Sequence, residues 1–96
     1  MRYKTRPGVV LTQIAGEYVL VAAKALLDVC PYVTQINETS AFLWRRLEQG
    51  AGIQELLTDV AEEYEVEDPG AAREAIEGFI HQMNEMNYLL SEETEG

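Results

Sequence analysis

Every run of this 96-residue chain that reads as a β-strand lies before residue 37, and every run with helical periodicity lies after it. That order argues against alternating strand–helix units, which build parallel sheets. Strands grouped ahead of helices argue instead for an α+β domain, with a sheet packed on one side of a helical bundle. Val9–Ile14 and Glu17–Val21 are β-branched and aromatic runs separated by Ala15-Gly16, and they predict a hairpin. Tyr32–Ile36 predicts a third strand. Between them, Ala22–Val29 favours helix by propensity but is short and uncapped, so it reads as a loop with one helical turn. Cys30-Pro31 ends it, because proline pushes its predecessor out of the helical region.

Three helices follow. Asn37 is a good N-cap with Glu38 in the first turn, and the helix from about Glu38 to Gln49 lines up Leu43, Trp44 and Leu47, with Phe42 beside them. Gly50-Ala51-Gly52 breaks it. Ile53, Leu56, Leu57, Val60, Ala61 and Tyr64 then repeat with helical spacing, backed by Glu55, Asp59, Glu62 and Glu63. Asp68-Pro69 supplies an N-cap and a first-turn proline for a third helix reaching about Met86. Its stripe is Ala72, Ile76, Phe79, Met83 and Met86. Tyr88-Leu89-Leu90 is an apolar segment expected to pack back or pair, and Ser91–Gly96 reads as a frayed acidic tail.

Composition narrows the function. The net charge is −10, but it is split: residues 1–47 carry six basic and three acidic side chains, residues 48–96 one basic and fourteen acidic. Binding to nucleic acid draws on Lys and Arg neutralising phosphates, so the acidic half is a poor candidate. A winged helix reading DNA with its third helix would offer only Arg73 and a neutral His81 against Glu74, Glu77 and Glu85. One cysteine, Cys30, and one histidine, His81, leave no metal site built from several such ligands, and no cofactor is expected. Cys30 reads as a small buried hydrophobe and His81 as a solvated side chain. No convergent nucleophile, base and oxyanion donors are present, so the chain is not expected to be an enzyme. No apolar run approaches the ~20 residues that span a bilayer, and the N-terminus lacks the pattern of a signal peptide. A cytoplasmic protein is the expectation.

A three-stranded sheet in so small a domain leaves an open edge, which is either an aggregation hazard or a binding site. Ile36-Asn37-Glu38-Thr39-Ser40-Ala41 marks the entry to the first helix. Together with Pro7-Gly8, Gly16–Val21, the Trp44 helix, Ile53–Tyr64 and Asp68–Leu90, it resembles the PqqD-like family over roughly Arg6 to Leu90. These are peptide chaperones of pyrroloquinoline quinone biosynthesis, and their relatives are recognition elements for other ribosomally made, modified peptides. Two features depart from the family's pattern: the long connection from Val21 to Tyr32, and Ser40 at a position where the family has alanine.

The resemblance implies a single winged-helix-like domain over residues 1–90, with a three-stranded antiparallel sheet followed by a three-helix bundle. It implies that the domain captures a leader peptide as a strand beside Tyr32, Val33, Thr34, Gln35 and Ile36, in a groove walled by the third helix. The captured leader would pass to a modifying enzyme, often of the radical S-adenosylmethionine class. On the helical wheel Ile80 sits about 80° from the centre of the apolar stripe, with Arg73, Glu77 and Asn84 a little further round. If the groove borders the core, Ile76 and Ile80 with Arg73, Glu77 and Asn84 form its wall, suiting an aliphatic leader residue with an acidic neighbour. The exposed strand also offers a route to a homodimer that would compete with peptide.

Overall fold

The computed structural model describes residues 1–92. In chain order it runs β1 (Arg2–Thr5), β2 (Val9–Ile14), β3 (Glu17–Ala22), a single 3-10 turn (Lys24–Leu26), β4 (Val33–Ile36), α1 (Glu38–Leu47), α2 (Ile53–Glu63), α3 (Pro69–Glu85) and β5 (Leu89–Glu92). The architecture is α+β, with an antiparallel sheet ordered β2-β3-β4 and three helices.

Local chemistry explains most boundaries. Ala15 and Gly16 both take positive φ, 52° and 82°, which is the type I′ turn whose twist suits a two-residue hairpin. Arg6-Pro7-Gly8-Val9 is a tight turn closed by Val9 N–H on the Arg6 carbonyl at 3.2 Å. Gly8 sits there at φ 97°, and a Cβ would stand 2.9 Å from Leu26 Cδ1. Asn37 caps α1 by accepting from the Ser40 amide at 2.8 Å, and Asp68 caps α3 by accepting from the Gly70 and Ala71 amides. At α2, Glu55 reaches back to the Gly52 amide, the half of a capping box that a glycine N-cap permits.

The core face of the sheet meets the helices. Val9, Leu20 and Ala22 join Leu43, Trp44, Leu47, Leu56, Val60, Ile76, Phe79, Ile80, Met83 and Tyr88 in one cluster. Cys30 is buried in it, as expected of a small hydrophobe, and His81 is exposed. Ala61 departs from its expected place on the α2 stripe and is exposed. The connection after β3 is a loop with one short turn, held because Leu26 packs inward and the Leu26 carbonyl accepts from both Val29 and Cys30.

The N-terminal segment was not expected to form a strand. β1 pairs antiparallel with β5, Arg2 opposite Glu92 and Thr5 opposite Leu89, and Tyr3 exchanges two 2.9 Å backbone bonds with Ala51. Arg2 also engages Glu55 and donates to the Gly50 carbonyl at 2.8 Å. The segment Tyr88-Leu89-Leu90 therefore pairs, and Ser91 and Glu92 extend the strand rather than opening a frayed tail. Residues 93–96 of that expected tail lie outside the described residues. Among the described residues no helix is long and apolar enough to cross a membrane.

Candidate functional site

β4 is bonded on one side only. Tyr18, Val19, Leu20 and Val21 of β3 stand opposite Ile36, Gln35, Thr34 and Val33, and no described strand pairs with the far side. The Ala22 amide donates to the Tyr32 carbonyl at 2.9 Å, which marks 22 and 32 as a hydrogen-bonded pair. Such pairs alternate along an antiparallel ladder, so Thr34 and Ile36 bond to β3. The N–H and C=O groups of Val33 and Gln35 then point away from the sheet, toward the open edge. Unsatisfied in the fold, those four groups are a template for one more strand.

The side chains along this edge are held from two directions. The Thr34 hydroxyl shares a 2.8 Å hydrogen bond with the Tyr88 hydroxyl, which also lies 2.8 Å from the Pro31 carbonyl. Burial raises the Tyr88 phenol above its ordinary pKa. The Thr34 bond offsets part of that rise and charge repulsion from Cys30 adds to it. Ile36 packs against the core, while Tyr32 and Val33 are 62% and 51% exposed. Gln35 is exposed and donates to Glu17.

Asn37, the residue that follows β4, borders a cleft of about 550 Å³ between the start of α1 and the flank of α3. Leu43 and Phe79 give it apolar walls, Asn37, Thr39 and Ser40 border it on the α1 side, and Ala75, Gly78 and Gln82 border it on α3. None of these eight residues carries a formal charge. A second opening, of about 420 Å³, adjoins the same strand end beside the hairpin, where Glu17 and Glu38 contribute acids.

The five residues expected along the third strand do lie together at this edge. The five expected on α3 do not line the cleft. Ile80, placed by the wheel at a rim, is 3% exposed, and Ile76 is 2% exposed; both are part of the core. Arg73 is turned toward α2, its guanidinium 3.4 Å from the Gln54 side-chain oxygen and 3.9 Å from Glu77. Asn84 is half-buried and also absent from the cleft wall. The cleft is on the other flank of the stripe, at Ala75, Gly78 and Gln82. A wheel gives two flanks and no sign of which one faces the sheet. The signal available was Gly78, a helix-interior glycine, which is about 1 kcal/mol less favourable than alanine. Among the described residues no group of three or more His, Cys, Asp or Glu side chains is placed to hold a metal ion.

Two solved structures share this fold. One is lasso peptide synthetase B1 complexed with the leader peptide, at TM-score 0.71 and 22% identity, covering 93% of this chain and 98% of that one. The other is TbiB1 in complex with the TbiA(beta) leader peptide, at TM-score 0.73 and 20% identity, covering 95% of this chain and 99% of that one. No curated protein sequence matches significantly. The family model of coenzyme PQQ synthesis protein D (PqqD) matches residues 9–89, from the first residue of β2 to the first of β5, and this chain belongs to that family.

Proposed function

We propose that this protein binds the leader segment of a ribosomally made precursor peptide and presents it to a separate modifying enzyme, without catalysing a reaction itself. The observation that carries this is the open edge of β4, where Val33 and Gln35 turn their backbone groups outward beside a cleft walled by α1 and α3. Strand addition takes affinity from main-chain hydrogen bonds and specificity from pockets for side chains, and both ingredients are present here. Family membership supports the reading, as do the leader peptides in the two structures of like fold. The PqqD resemblance implies a radical S-adenosylmethionine enzyme as the partner, and the likeness to a lasso peptide synthetase component widens the field to other peptide-modifying enzymes. The protein acts in the cytoplasm, where precursor peptides are synthesised.

The DNA-binding alternative has less support. His81 lies 3.5 Å from Glu85 and Arg73 3.9 Å from Glu77, so both basic side chains of α3 sit beside carboxylates. A homodimer formed through the same β4 edge would compete with peptide.

The test uses a synthetic leader segment from a candidate precursor peptide. Titrated into isotope-labelled protein, it shifts the amide signals of Val33 and Gln35. Gln35→Pro removes an outward donor while leaving the β3 ladder intact, so the variant folds and its affinity falls at least about tenfold. Shifts confined to α2, or unchanged affinity in a folded Gln35→Pro, overturn the assignment.

A further inference from the structure

We propose that Gly78 sets the size of the leader side chain accepted between α1 and α3, and that this side chain is large and uncharged. The inference rests on leader binding at β4 and adds to it the class of residue recognised. Asn37, the residue that follows β4, borders the cleft, so a peptide strand added along Val33 and Gln35 and carried past Ile36 reaches it. Leu43 and Phe79 offer apolar surface, while Asn37, Ser40 and Gln82 at the rim offer amide and hydroxyl groups. A charged leader side chain would find no opposite charge among these residues and would lose hydration on entry. A large apolar or aromatic side chain fills the space, and a polar tip on it finds partners at the rim.

Packing within the protein does not account for glycine at position 78. It is exposed in the middle of a 17-residue helix, where alanine is the better helix former, and a Cβ placed there meets nothing within 4 Å. Its φ is not in the left-handed region that calls for glycine. What the missing side chain does is leave the cleft open. Each methyl group added at this position projects into space that a guest would fill, so stability and binding should move in opposite directions.

The experiment selects peptides from a displayed library of random linear sequences against the full chain, then against Gly78→Ala and Gly78→Leu. The wild-type protein is expected to enrich peptides that share one large uncharged residue and that shift the Val33 and Gln35 amides. Gly78→Ala is expected to melt about 4 °C higher. Gly78→Leu binds the wild-type-selected peptide at least about tenfold more weakly, since it fills space the guest side chain needs. Both variants select a smaller residue at the shared position. If peptides bind at β4 but neither affinity nor the selected residue changes in folded variants, the role of Gly78 is refuted and leader binding stands. Enrichment of a charged residue at the shared position refutes the stated class. If no peptide shifts the β4 amides, both fail together.

Discussion

Asn87 must turn left-handed to end α3, at φ 61°, and it does so within a full Schellman closure. The Tyr88 amide returns to the Met83 carbonyl at 2.9 Å and the Asn87 amide to Asn84 at 3.0 Å. The Asn87 side chain then donates to the Val29 carbonyl at 2.7 Å, and the Asn87 backbone carbonyl accepts from Arg6 Nε at 2.6 Å and from the Cys30 thiol at 3.2 Å. One residue thus ties the helix end to the long loop and to the N-terminal segment. Asn87→Gly keeps the backbone conformation but loses the Val29 bond, at about 1 kcal/mol. Asn87→Ala adds a left-handed penalty of about 1 kcal/mol more, so urea unfolding should order the three proteins Asn, Gly, Ala. Its neighbour Tyr88 gives a pH-dependent prediction. The folded phenol holds its proton to higher pH than the unfolded one, so its stabilising contribution is complete below about pH 10 and is lost as pH rises through the folded value. Tyr88→Phe should cost about 1–3 kcal/mol at neutral pH, by stranding the Thr34 hydroxyl and the Pro31 carbonyl. It should also show a shallower alkaline decline in urea midpoint than wild type.

Among the elements, those fixed by neighbouring residues were legible in advance. Asn37 and Asp68 cap the helices they were expected to cap, Ala15-Gly16 forms the hairpin turn, and the open third strand follows from the order of the runs. β1 was not legible, because Arg2-Tyr3-Lys4-Thr5 has little apolar content of its own and its partner strand lies at the other end of the described chain. Long-range pairing of short strands leaves almost no local trace. The flank of α3 that borders the cleft was missed for a related reason. Ile80 draws attention as an apolar residue off the stripe, yet an apolar residue there is what a helix packed on several sides buries. Small residues such as Ala75 and Gly78, which leave space, look unremarkable in a pattern of hydrophobicity. The hairpin carries its own test. Ala15 holds a left-handed conformation better suited to asparagine, so Ala15→Asn should gain about 0.5–1 kcal/mol and melt a few degrees higher.

Over the whole molecule, the charge split has acquired a meaning. None of the acids of α2 and α3 lines the cleft, and every residue that does is uncharged. Leader affinity should therefore vary less than about threefold between low salt and physiological salt, where a binding mode led by ion pairs would fall steeply. Isothermal titration at two salt concentrations separates the two. β1 contributes at this scale as well, since it joins β5 to the turn between α1 and α2 through Tyr3 and Ala51. Removing residues 1–5 takes away the cover over buried Leu89 and Ala51, and should destabilise the fold by about 3 kcal/mol or more in denaturant titration. The same pairing places Arg2 across from Glu92, so the two points of entry into the described fold stand about 5 Å apart. A module with adjoining entry points can be spliced into a surface loop of another protein without prising the host apart, and it can be rejoined end to end and reopened at the hairpin tip.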